Sequence, residues 1–167
     1  TRGKHNSREA RKTDTWYFSS ESATNPNFIT GVGIVIENRL AQHINKIIPY
    51  TDRLMMIQLE HTTPITIINT YCPQAGRPTE EKRETYDAIG KILVENRNKG
   101  PILIGGDFNA RLQKPTDEEE KTIIGNYTFQ SQHENTKDMS EDMQDNRQMM
   151  LQLCKDSSLT ALNTQYR

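Results

Sequence analysis

Apolar and polar residues alternate along several stretches of the chain with the period of two that puts successive side chains on opposite faces of a β-strand. Leu54 to Glu60 sets Leu54, Met56 and Gln58 against Met55, Ile57 and Leu59, and Pro64 to Tyr71 sets Ile65, Ile67, Asn69 and Tyr71 against Thr66, Ile68 and Thr70. The pattern predicts two successive strands around a turn at His61-Thr62-Thr63. Upstream, Thr15-Trp16-Tyr17-Phe18-Ser19 and Gly31-Val32-Gly33-Ile34-Val35-Ile36 are rich in β-branched and aromatic residues. They predict two more strands, joined by the Asn/Pro/Ser-rich loop 20 to 29.

The period then changes. After the Pro- and Gly-containing loop Cys72 to Pro78, Thr79 can cap a helix with Glu80 and Glu81 in its first turn. Tyr86, Ile89, Ile92 and Leu93 form its apolar stripe, and the spacing runs to about Asn98 before Gly100-Pro101 stops it. Ile102-Leu103-Ile104 is a short continuous apolar run, the pattern of a strand covered on both faces, and it leads straight into Gly105-Gly106-Asp107-Phe108-Asn109. From residue 111 to 146 the sequence is acidic and amide-rich without sustained periodicity, apart from a short strand pattern at Tyr127-Thr128-Phe129, and reads mainly as a long surface excursion. Helical spacing resumes over 146 to 156 with Met150, Leu153 and Cys154, and Leu159 to Asn163 predicts a last strand. Strands first, then strand-helix-strand, then helix-strand, predict an α/β fold: a sandwich of two sheets with helices outside.

A length of 167 residues fits one domain, able to bury roughly two-thirds of its unfolded surface. The composition is polar, 33% hydrophobic and 26% charged, with a mean hydropathy of -0.83. A net charge of -1 excludes a chain that binds nucleic acid through a general basic excess, so any such contact must be local. Basic residues cluster near the start (Arg2, Lys4, Arg8, Arg11, Lys12), and acidic ones at Asp117 to Glu120 and Glu141-Asp142. Most of these read as solvated surface charge. Cys72 and Cys154 are too few for a disulfide framework and lie in no zinc-like spacing, which fits a reducing, intracellular compartment. No apolar run reaches the roughly 18 residues of a membrane span. The chain opens on Thr1-Arg2 and stops at Tyr166-Arg167, which reads as a piece of something longer.

Candidate chemistry gathers at two strand ends. Asp107 and Asn109 follow the buried apolar run, and Gly105 and Gly106 before them let backbone approach backbone closely. Alone, that string also reads as an Asx-rich turn closing a strand. Asn69 and Tyr71, however, emerge on one face at the carboxyl end of another strand, and the predicted helix joins the two. A strand-helix-strand unit sets both ends side by side.

These motifs, Asn69-Thr70-Tyr71-Cys72-Pro73-Gln74-Ala75-Gly76-Arg77 and Gly105-Gly106-Asp107-Phe108-Asn109-Ala110, resemble the endonuclease/exonuclease/phosphatase superfamily. Gly31 to Ile34, Asp52-Arg53 before a strand, and the closing Leu162-Asn163-Thr164 are most similar to the endonuclease domains of LINE-type non-LTR retrotransposons, and the similarity spans residue 14 onward. The resemblance implies a DNase I-like two-sheet sandwich, here a single partial domain over 1 to 167. It further implies a Mg²⁺-dependent phosphodiesterase, with Mn²⁺ as a substitute, that nicks DNA beside a reverse transcriptase domain of the same parent polypeptide in the nucleus. On it, Asp107 acts as base toward the attacking water, Asn109 holds the scissile phosphate, and Tyr71 supports the oxygens that gain charge. Gln74 and Arg77 touch the DNA backbone, while Asn69, Gly105 and Gly106 support the site. The family's N-terminal Asn and metal-holding Glu and its C-terminal Asp-His pair have no match in this chain, and His5, His43, His61 and His133 read as surface histidines. Two other readings stay open: an inactive partial or domesticated copy serving as a folded interaction module, and an abasic-site repair endonuclease or a lipid or inositol phosphate phosphatase of the same superfamily.

Overall fold

The computed structural model describes residues 5–10, 14–20, 31–128 and 140–166. It is a mixed α/β chain with one sheet of three strands and one of four. The first sheet comprises β1 (His5–Ala10), β2 (Asp14–Ser20) and β3 (Val32–Glu37), antiparallel and in sequence order. A single turn, α1 (Asn38–Ala41), leads into the second sheet: β4 (Ile44–Thr51), β5 (Leu54–Leu59), β6 (Ile65–Tyr71) and β7 (Ile102–Asp107), in that order. The first three of these run antiparallel, whereas β7 pairs parallel to β6 after the helix α2 (Thr79–Asn96). A parallel neighbour needs a crossover segment of this length, which a tight turn cannot provide. The chain continues through α3 (Glu120–Ile123) and α4 (Glu141–Ser157) to a 3₁₀ turn at Leu162–Thr164.

Two compact units result: residues 1–71 with 95–107, and residues 72–94 with 108–167. In the first, the two sheets pack face to face. Val32, Ile34 and Ile36 of β3 meet Met55, Ile57 and Leu59 of β5 in one buried cluster, flanked by Ile67 and Tyr71. Period-two patterning produces this directly, because one face of each strand collects its apolar residues. β5 is buried at all six positions, so the alternation seen in its sequence separates two buried faces and not an inside from an outside. In the second unit, Ile123, Ile124, Leu151 and Cys154 form a separate cluster with Leu112, Met150 and Leu159 against it.

Four expectations change. Neither β1 nor β4 was expected as a strand. β7 is not covered on both faces, since Leu103 is 49% exposed; as the outermost strand of its sheet it has one neighbour, and a continuous apolar run does not require two covered faces. Within the stretch read as a surface excursion, Gln113, Glu120, Ile123 and Ile124 are buried, while Tyr127 and Thr128 lie in no strand and Phe129 falls outside the described residues. The last expected strand reduces to one bridge, Ala161 beside Ile124, before the chain turns into the 3₁₀ segment. The loop 21–30 and residues 129–139 also lie outside the described residues. Among the described residues no helix is long and apolar enough to cross a membrane.

Candidate active site

In the first unit the parallel pairing of β6 with β7 fixes the register at the strand ends: Asn69 opposite Gly105, Thr70 opposite Gly106, and Tyr71 opposite Asp107. Tyr71 and Asp107, chosen from sequence, are therefore cross-strand partners on adjacent strands. Gly106 makes the close approach possible. Its φ is +137°, and a Cβ placed on it would lie 1.9 Å from the carbonyl oxygen of Thr70. Gly105 has no such constraint, because a Cβ there meets nothing within 4 Å. Of the two glycines, one is required by the backbone and the other is not.

Tyr71 is half-buried against the sandwich core. The Arg53 guanidinium lies over its ring, 5.7 Å from the centroid, and its backbone N–H donates to the Arg53 carbonyl at 2.9 Å. A cation against the ring face holds the aromatic plane and places positive charge beside the phenol. Arg53 also approaches the Asp52 carboxylate at 3.7 Å. Asp107, by contrast, is exposed. Asn69 points away from solvent: its Nδ2 donates to the Gly33 carbonyl at 2.7 Å, a bond from β6 of one sheet to β3 of the other. It is a tie across the sandwich.

In the second unit the loop that follows β6 and the loop that follows β7 are held by side-chain amides. Asn109 adopts the left-handed backbone region, φ +47°, which Asn tolerates better than other side chains. Its Nδ2 donates to the Cys72 carbonyl at 2.7 Å. Asn146 of α4, fully buried, donates from Nδ2 to the carbonyls of Pro73 (3.0 Å) and Asn109 (2.9 Å). The Tyr86 hydroxyl of α2 donates to the Phe108 carbonyl at 3.3 Å. Burial pushes the Tyr86 phenol well above its ordinary range, with the neighbouring Cys72 adding to the effect, so it stays protonated and acts as a donor. Beneath this, Lys82 of α2 is fully buried, and its Nζ donates to the Asp142 carbonyl in the first turn of α4 at 3.3 Å.

Gln74 and Arg77 are exposed in the loop after β6. The Gln74 carbonyl accepts the Arg77 N–H at 3.0 Å, closing a turn. The Arg77 guanidinium is paired with Glu81, from Nε at 2.9 Å and Nη2 at 2.8 Å. His43 and His61, in the turns before β4 and between β5 and β6, stack edge to face with ring centroids 4.5 Å apart.

Asn146, Tyr86 and Lys82 were not singled out as site residues by their sequence. A signal for Asn146 was present: it precedes Met150 by one helical turn and Cys154 by two, a polar residue on the apolar stripe of its helix. Among the described residues, no three of His, Cys, Asp and Glu gather closely enough to hold a metal ion.

No protein-family model and no curated protein matches this chain.

Proposed function

We propose that the chain is part of a DNase I-like phosphodiesterase domain, and that its reaction is the nicking of DNA beside a reverse transcriptase in a retroelement polypeptide. The supporting observation is the register that sets Tyr71 opposite Asp107 at the carboxyl ends of two parallel strands. In open parallel arrangements, ligands are bound outside the carboxyl ends of strands. An exposed carboxylate there can accept a proton from an attacking water, and a phenol beside it can donate to a phosphate oxygen as charge builds. On the same reading the Asn109 amide, in the second unit, holds a phosphate oxygen. Arg53, stacked on Tyr71, adds a cation whose field favours the developing anion.

The test is nicking of supercoiled plasmid by the polypeptide that carries this chain. Asp107→Ala is expected to lower the rate by at least about 100-fold, since loss of a general base alone costs on the order of 10² to 10⁴. Full activity in that variant sinks the reading. A second reading is a folded module without catalysis. It predicts a protein that melts cooperatively and cuts neither plasmid nor abasic-site duplex at any divalent metal concentration.

A further inference from the structure

The loop after β6 and the loop after β7 carry the residues that would meet a phosphate, yet both are irregular backbone. Irregular backbone holds a position only if its polar groups are tied. In the second unit the ties converge on one residue. Asn146 is 0% exposed, and its amide donates to a carbonyl in each loop, Pro73 and Asn109. The Asn109 amide itself donates to the carbonyl of Cys72, the residue before Pro73, so one amide crosses from the β7 loop to the β6 loop while Asn146 bridges both loops from α4. The first turn of α4 is in turn held to α2 by the buried Lys82.

We infer that Asn146 is a positioning residue: it fixes the Asn109 carbonyl, and with it the left-handed backbone from which the Asn109 amide projects. What Asn109 does with that position rests on the nuclease reading above. The bonding economy supports a dedicated role. The Asn146 Oδ1 is buried without a partner among the described residues, which costs free energy. An apolar side chain would avoid that cost but leave the Pro73 and Asn109 carbonyls unanswered. An Asp would be worse, because an ionised carboxylate donates nothing and would face two carbonyl oxygens.

The test combines kinetics with a readout that needs no activity. Single-turnover plasmid nicking is measured for the wild-type polypeptide, Asn146→Ala, Asn109→Ala and the double variant. Each is also followed by NMR at the Asn109 side-chain amide and at core amides of Ile57 and Ile68. Asn146→Ala is expected to slow nicking roughly 10- to 100-fold with little change in the DNA concentration for half-maximal rate, as misplaced groups do. In the Asn109→Ala background it is expected to slow nicking no further, because residues acting through one another do not add. Its Asn109 signal should move while the core signals stay. Additive rate losses with unmoved Asn109 signals overturn the inference. If the wild type does not nick, the nuclease reading falls alone, and the Asn109 signal still decides the positioning role. Should Asn146→Ala lose its cooperative melting, Asn146→Ser, which keeps one donor and removes less volume, carries the same readouts.

Discussion

A single ion pair deep in the second unit shows how far an individual residue can depart from its appearance in sequence. Glu120 sits in an acidic run that reads as solvated, yet it is buried and accepts from Arg147 at both oxygens, 2.8 and 2.6 Å. Its carboxyl is held at about 2, below an ordinary 4.5, chiefly by the Arg147 hydrogen bond, opposed by burial and aided by the Thr116 N–H. A carboxyl whose folded value is depressed contributes stability that is complete above the unfolded value and disappears as pH falls through the folded one. The window is the interval from 4.5 down to about 2. Glu120→Gln should therefore melt well below wild type at neutral pH, with the gap closing as pH falls across that window. A gap that stays constant in a melting series would show that the carboxyl does not titrate with folding. Nothing local predicts this pair, because its members lie 27 residues apart and meet only through the packing of α3 on α4. The placement of Asp107 and Tyr71 at the ends of β7 and β6 was legible for the opposite reason: each is the polar end of an apolar strand, a purely local signature.

Elements were legible in proportion to how regular their surroundings are. β5, β6 and α2 follow their periods and were found within one or two residues of their observed ends, α2 stopping at Asn96 and not at Asn98. β4 was invisible because it is irregular: its register against β5 shifts between Ile44 and Lys46 and again between Pro49 and Thr51, so no alternation survives. It also contains Pro49, which a sheet accepts on an outer strand, where one side of the backbone needs no partner. β7 was found, but the reason given for its glycines was only half right. Gly106→Ala is expected to destabilise the protein by about 3 kcal/mol, since it forces a left-handed φ on a side chain that would collide with the Thr70 carbonyl. Gly105→Ala, with open space around it, should shift stability by no more than about 1 kcal/mol in either direction. Denaturant midpoints of the two variants decide the matter; equal losses would mean that β7 does not approach β6 as described.

For the chain as a whole, a net charge of -1 governs how it could bind DNA. Without a general basic field, attraction must come from a few phosphate contacts, and each phosphate neutralised by a cation contributes about -0.9 to the slope of log affinity against log salt. The nuclease reading therefore predicts a shallow slope, unlike that of strongly basic binders. Arg77 is the candidate that sequence named and the structure leaves at the surface, but its guanidinium is already engaged by Glu81 in the first turn of α2. To reach a phosphate it must exchange one anion for another, and an exposed pair of this kind holds by less than about 1 kcal/mol. Two variants then move in opposite directions. Arg77→Ala should weaken binding to every duplex sequence alike and reduce the magnitude of the salt slope by about one. Glu81→Gln, which frees the guanidinium without removing it, should tighten binding while leaving the slope at or above its wild-type magnitude. Titrations of a fluorescent duplex over a range of salt concentrations measure both. If Arg77→Ala leaves the slope unchanged, Arg77 belongs to the helix start alone, and the phosphate contacts must be sought elsewhere on the chain.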